Sequence, residues 1–568
     1  MNPTLPLLVL ALSAAATTAF AAAPDATESP FGVSSSAAST RNFKSWAPAV
    51  SKLGVKWVRG FDTFNDIEPQ PGKWNWKGVD HELDVAAGNR LQLSGFFLYG
   101  NPWIPSPSGL PITNLPAWTD YVSRLVKHVD GGVKYWEVWN EPPNFTTNAS
   151  PADYATLVRA TYDAAHAADP SCHIGLAAQS VNLNYLDQAL QAGAADHFDY
   201  LTLHPYEVLG TVSDGGEAEF MSIVPTVRKM LAARDPARAN VPIWFTEIGA
   251  SLGQMNGLVK VTPGVQAQLL IKAYAMGLAE GVARIDWFEG REGDSGPMGL
   301  LDAQGKPRPA AAAMAKMQEM LGDTPVFLGW ELLHERDYAF VFQGAKETVM
   351  ITWAPPGVTD EIEMGDDVEI DNPGGDDELS GGALEVTNEP AIISGKIPLK
   401  YLDAAQANKD KPFPWGGDYS HAGSISVALG SPNVAKGLHQ LYANATSSPV
   451  AIDGKPARDC GRAAAQSFVV DPSFLSYSSV PITITAMVRR NAAGDHAGFN
   501  LKYESATGWK SAGRWNSIPA GTSWTKLTWA ITDPQFVGKW GFNFSFDSDT
   551  AAQAKYELQS VTVTKTAP

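Results

Sequence analysis

The decapeptide YWEVWNEPPN, Tyr135 to Asn144, is the stretch on which the fold turns. Its Trp-, Tyr- and Val-rich run has the makeup of a buried strand, and Pro142 and Pro143 stop that strand just after an amide and a carboxylate, Asn140 and Glu141. In a (β/α)8 barrel the C-terminal ends of the strands carry the chemistry, so a glutamate there is a candidate acid or base. A second stretch, WFTEIGAS, offers a partner carboxylate in Glu247.

Outward from that strand, short β-like runs alternate with amphipathic helical stretches from Phe31 onward, as parallel strands with crossover helices require. There are eight such runs: FGVSSS (from Phe31), VKWVRGF (Val55), LQLSGFFLYG (Leu91), VKYWEVWNE (Val133), HIGLAAQS (His173), DYLTLHPY (Asp199), PIWFTEIGA (Pro242) and RIDWFEG (Arg284). Between them, Phe43, Trp46, Val50 and Leu53 share one helical face, and Ser150-Pro151 reads as a cap followed by the first helical residue. Pro309 starts the last helix and Gly322 stops it. The count predicts an α/β fold, a closed (β/α)8 TIM barrel. An open doubly wound sheet would want a glycine-rich phosphate turn after an early strand, and none is present.

The 568 residues are too many for one core. The organisation expected is a signal peptide over 1–23, the barrel over 24–323, a small antiparallel β-domain over 324–400, a linker over 401–424, and a jelly-roll-like β-sandwich over 425–568 as a candidate carbohydrate-binding module. The first residues join an apolar run to Ala-rich cleavage sites, although no Lys or Arg precedes the run; a membrane anchor is the alternative to secretion into a periplasmic or extracellular space. The acidic stretch between Gly357 and Gly382, with Asp376, Asp377 and Glu378, reads as a solvated loop more than a calcium site. In the sandwich, Trp540, Phe542, Phe544 and Phe546 alternate and should share the core face, whereas Trp509, Trp515 and Trp524 lie near turns as candidate sugar-stacking rings.

A net charge of -18 argues against a nucleic acid or an anionic membrane as partner, and 18 tryptophans suit the stacking of sugar rings. Two cysteines, Cys172 and Cys460, exclude a disulfide framework and read as buried thiols, with one long-range bridge the alternative. Cleaving a glycosidic bond takes two carboxyl groups, one protonated and one ionised, and on the strand count Glu141 and Glu247 close the fourth and seventh strands. Arg59, His204, Tyr206 and Trp287 belong to the same mouth, with Trp103 in the loop after the third strand as a stacking wall or a lid. The bland alternatives are a salt bridge of Arg59 with Glu137, a structural histidine at His204 and barrel lining at Trp287.

Asn140-Glu141-Pro142, His204 with Tyr206, Glu247 and Trp287, in that order, resemble clan A of the retaining glycoside hydrolases. Within the clan the chain is most similar to family 39, through GVKWVRGFDTFNDIEPQPGKWNW and WTDYVSRLVKHVDGGVKYWEVWNEP, over roughly Phe31 to Leu399. The resemblance implies Glu141 as acid/base, Glu247 as nucleophile, Asn140 at the sugar 2-hydroxyl or the nucleophile, Tyr206 holding Glu247, and no metal or organic cofactor. An acid needs a raised pKa, so Glu141 should be the drier or more carboxylate-crowded of the two. The eighth-strand segment WFEGREGDSG departs from the xylosidase branch, and with the extra sandwich this favours an endo-acting enzyme on an extracellular polysaccharide. The alternatives are an exo-acting β-xylosidase-like glycosidase on oligosaccharides, a transglycosylase, a surface adhesion protein, and a catalytically silent polysaccharide-binding protein.

Overall fold

The computed structural model describes residues 29–371, 382–413 and 418–566. The expected signal peptide, the central part of the acidic stretch with Asp376, Asp377 and Glu378, and residues 414–417 of the expected linker lie outside them.

Eight parallel strands close into a barrel: β1 (Phe31–Ser34), β2 (Trp57–Arg59), β3 (Gln92–Phe97), β4 (Val133–Val138), β5 (His173–Ala177), β6 (Tyr200–Leu203), β7 (Ile243–Ile248) and β8 (Arg284–Phe288). They are the eight runs expected. Each strand alternates between barrel interior and helix layer, and the interior residues stack in layers. The lower layer is an aromatic box of Trp57, Tyr135, Tyr200 and Trp244, with the Arg284 guanidinium 4.5 Å from both indole centroids and bonded to Asp286. The next layer up is polar and supports the mouth: Arg59, Glu137, Thr202 and Thr246, each 1% exposed or less. A charged layer this dry holds only because its groups bond to one another.

The outer helices start and stop where local chemistry dictates. Ser150 caps Pro151–Ala168 by accepting from the Asp153 amide, and Asp153 answers from its own side chain. Pro309 opens the last helix, Pro309–Leu321, and Gly322, at φ 74°, ends it.

After the barrel comes a five-stranded sheet in the order Val326–Leu333, Asp337–Gln343, Thr348–Trp353, Ala391–Gly395 and Val368–Asp371. It leans on the barrel through a dry contact, where Trp353 Nε1 donates to Glu217 Oε1 at 3.0 Å. The stretch expected as a linker opens instead as the helix Leu399–Asn408, which buries Tyr401 and Ala405 against that sheet, and Phe413 then stacks with Tyr338 and Phe340. The bare face of that sheet gives Tyr401, Ala405 and Phe413 somewhere to bury, and this orders the stretch.

The last part is a two-sheet sandwich cored by Phe468, Phe499, Phe544 and Phe546. Trp540 and Phe542 do not join that core. The Phe544–Asp547 strand begins only after them, so the alternation does not reach back that far, and both stay half-buried. The sandwich docks on the segments that follow β5 and β6. Asn184 Nδ2 donates to Ser505 O at 2.7 Å, the Tyr442 amide to Asp214 Oδ2 at 2.6 Å, and Val537 enters the barrel's own apolar cluster. Cys172 and Cys460 are both free and buried. Among the described residues, no helix is long and apolar enough to cross a membrane.

Candidate active site

Glu137 points into the barrel from β4, while Asn140 and Glu141 follow just beyond the strand. Trp139 and Glu141 take positive φ, 70° and 49°, where an L-residue costs of order 1–3 kcal/mol. The turn is held by Asn144, whose amide nitrogen donates to Glu141 O at 2.6 Å and whose Nδ2 donates to Glu141 Oε2 at 3.1 Å. Asn144 was the last letter of the opening decapeptide and carried no sequence signal of its own.

Glu247 faces Glu141 from β7. Ligand-type atoms of Glu141, His204 and Glu247 all lie within 4.8 Å of one another. Arg59 is the hub beneath them: it donates to Glu137 Oε1 at 2.7 Å, Glu247 Oε1 at 2.6 Å and Asn140 Oδ1 at 2.9 Å. The salt bridge of Arg59 with Glu137 is present, and the same guanidinium also holds Glu247. Burial alone would lower the Arg59 pKa; the charges of Glu137 and Glu247 overcome this and raise it. Tyr206 donates its hydroxyl to the other Glu247 oxygen at 2.8 Å. A carboxylate with a donor on each oxygen is held in one orientation.

His204 sits between the pair, with Nδ1 2.8 Å from Glu141 Oε1 and 3.6 Å from Glu247 Oε2. Its Nε2 is 3.1 Å from Thr246 Oγ1, and Thr246 gives its hydroxyl proton to Glu137 at 3.3 Å. Nε2 must then be the donor, which leaves Nδ1 to accept a proton from Glu141 or to give one back. Burial pushes Glu141 up, but the hydrogen bond and charge of His204 and the Asn144 amide outweigh it and its pKa falls below the ordinary value. Burial pulls His204 down, but the Glu247 charge and the Glu141 bond outweigh it and its pKa rises. The expectation of a drier, raised Glu141 is therefore corrected: its side chain is 17% exposed against 12% for Glu247, and the raised group is its histidine partner. One proton belongs to the Glu141–His204 pair.

The remaining expected contacts separate. Trp287 is fully buried and its indole donates to Met298 O at 3.3 Å, so it lines the helix layer; residues 284, 286 and 288 are the ones that face inward. One step along the strand changes the face, and Phe288, edge-on to Tyr206 at 6.2 Å, is the ring at the mouth. Trp103 is half-buried and pinned, donating to Glu68 O at 3.2 Å and edge-on to Phe64. Sequence reasoning missed Tyr99, whose phenol burial and the Glu247 charge push up to about 12, and Phe145, 60% exposed beside it. Alternating strand rules do not extend to such loop rings.

A cation beside Glu247 would meet the Arg59 charge at once, so the three ligand-type groups suit proton sharing better than metal binding. Among the described residues the other such group is His334, Asp337 and Asp360, where Arg336 already occupies Asp360.

No protein-family model and no curated protein sequence matches the chain. Solved structures do: a family 39 glycoside hydrolase from Bacteroides cellulosilyticus has TM-score 0.55 and 18% identity over 66% of this chain and 82% of its own. Over that length the chain shares the fold of this glycoside hydrolase. A GH30 endoxylanase from Clostridium papyrosolvens matches at TM-score 0.45 and 16% identity, covering 65% of this chain and 96% of its own. A glucosidase from Croceicoccus marinus matches at TM-score 0.44 and 12% identity, covering 95% of this chain and 97% of its own. In the barrel Glu141 and Glu247 occupy facing strand ends, at the face where such barrels do chemistry.

Proposed function

We propose that this protein is a secreted glycoside hydrolase that cleaves an extracellular polysaccharide internally, with retention of anomeric configuration. The observation that carries the reading is the pair itself: carboxylate oxygens of Glu141 and Glu247 within 4.8 Å across the mouth. Retaining enzymes keep their carboxyl groups about 5–5.5 Å apart and inverting ones about 6.5–9.5 Å to admit a water, and an approach of one oxygen from each residue this near, with His204 Nδ1 touching both, favours the closer arrangement without itself being the carboxyl separation.

Glu247, aimed by Arg59 and Tyr206, attacks the anomeric carbon. The Glu141–His204 pair delivers its proton through Glu141 to the glycosidic oxygen, the carbon–oxygen bond breaks, and the leaving sugar departs as an alcohol. Esterification removes the Glu247 charge, the main raising influence on His204, so the pair, now unprotonated, is a ready base. Glu141 then takes a proton from water, the water oxygen bonds to the anomeric carbon, and the Glu247 ester bond breaks. Asn140, fixed by Arg59 through its side-chain oxygen and bonded to Tyr99, stands at the edge of the site where a sugar hydroxyl would meet it.

Product analysis on neutral and acidic polysaccharides and on aryl β-glycosides tests this, with Glu247→Gln as control. Oligosaccharides that vanish in the variant support an endo-acting retaining hydrolase. Monosaccharides alone move the reading to an exo-glycosidase. No variant-sensitive product from any substrate refutes hydrolysis and leaves polysaccharide binding.

A further inference from the structure

Beside the catalytic pair lies a cavity of about 310 Å³ whose wall is shared between the barrel and the sandwich. The barrel supplies Tyr206 and Glu207 after β6, Met255 after β7 and Met298 after β8; the sandwich supplies Tyr442 and Trp540. Tyr206 is the same residue that bonds Glu247, so the cavity adjoins the reaction centre across one side chain.

The sandwich residues are built into place. Glu504, 2% exposed, accepts from the backbone amides of Val537, Gly538 and Lys539 at 2.9, 3.0 and 2.7 Å and from Asn543 Nδ2 at 3.0 Å. A single carboxylate thus cages the loop that carries Trp540. On the barrel side Ser180 Oγ, with one proton to give, lies 2.6 Å from both Lys539 O and Glu207 Oε2 and ties the loop to the cavity wall. Gly538, at φ +70°, lies so close to Glu219 that a Cβ would sit 1.8 Å from Oε1, a fit that a side chain would abolish. Holding a half-exposed indole this firmly over a polar cavity has no return in core packing, since Trp540 lies outside the sandwich core.

We propose that this cavity is a sugar subsite completed across the domain junction. It binds a pyranose of the substrate chain beyond the ring being cleaved, with Trp540 and Tyr442 against its C–H face and Glu207 at its hydroxyls. The cavity lies at the lower end of small-ligand pocket sizes, roughly 300–1,000 Å³, and aromatic faces with a few polar groups at the edge are what a sugar ring needs. The inference rests on the glycosidase reading, and it makes the sandwich part of the active site rather than a tethered module.

The experiment starts from whichever polymer in the polysaccharide panel the wild-type protein cuts, and measures KM and kcat on it for Trp540→Ala, Trp540→Phe, Tyr442→Ala and Trp524→Ala. Binding of its tetrasaccharide fragment to Glu141→Gln, with and without Trp540→Ala, is measured by calorimetry. Loss of one stacked ring should raise KM and the dissociation constant roughly tenfold or more, with kcat falling less and Trp540→Phe restoring most of the loss. Melting temperatures report whether each variant is folded. Unchanged KM and affinity in folded Trp540→Ala and Tyr442→Ala overturn the subsite while hydrolysis stands. Loss in Trp524→Ala but not in Trp540→Ala overturns it in favour of a separate binding face. If the wild-type protein cuts nothing and Glu141→Gln binds no polymer of the panel, the glycosidase reading itself falls.

Discussion

Replacing Glu219 by glutamine should flatten the pH dependence of stability at the junction of barrel and sandwich. Glu219 is 4% exposed, with Oε1 against Gly538 of the sandwich loop. Burial, and then the charges of Glu504 and Asp471, raise its pKa from 4.5 to about 8. Between those pH values the folded chain holds a proton that the unfolded chain releases. The group's contribution is therefore greatest below pH 4.5 and is lost as pH rises through about 8. At about 1.4 kcal/mol per pH unit the loss over that interval is at most about 5 kcal/mol, and relaxation of the junction brings it to roughly 2–4 kcal/mol. The amide of Glu219→Gln keeps the shape and does not titrate. Urea unfolding followed by tryptophan fluorescence at pH 5, 7 and 9 should show the variant gaining on the wild type by that amount as pH rises. Parallel stability profiles across the three pH values would refute the reasoning, because they would mean that Glu219 is ionised and solvated throughout.

Three other outcomes are expected. In His204→Gln the proton of the acid pair rests on Glu141 alone; because the Glu247 charge and the Glu141 bond raise the His204 pKa in the wild type, the basic limb of kcat/KM should move to lower pH in the variant, and an unmoved limb would rule out proton sharing. Arg59→Met leaves Glu137 buried without its cation and Glu247 without its aim, so melts should report a loss of about 3–5 kcal/mol and activity should drop at least a hundredfold. Ser150→Ala removes a cap whose side chain bonds only Asp153 and none of the site residues, and should cost about 1 kcal/mol by denaturant titration with kcat/KM unaltered.

The eight strands, the caps at Ser150 and Pro309 and the stop at Gly322 were legible because each is local: a β-rich run, a capping hydroxyl or a left-handed glycine acts over a few residues. Glu141 and Glu247 were legible for a related reason, since a charge at the end of an apolar strand stands out against its own neighbours. The partners of those charges were not legible in the same way. Arg59 meets Glu247 only because the barrel closes, across 188 residues of chain, and His204 meets both glutamates only at the mouth. Proton sharing reverses the pKa expected for Glu141, because pKa follows distance in space and not motif.

At β8 the strand was correctly read, yet its face was decided by register: Trp287 turns to the helices and Phe288 to the mouth. Helix Leu399–Asn408 and the aim of Trp540 likewise depended on surfaces made elsewhere, a bare sheet face in one case and the barrel rim in the other. Strand order, barrel class and the two carboxylates were thus determined by the sequence, through short-range backbone and side-chain preferences. The environment of those carboxylates, and the sandwich's place beside them, were decided by tertiary structure, because burial and hydrogen bonding between distant segments exist only once the chain has closed on itself.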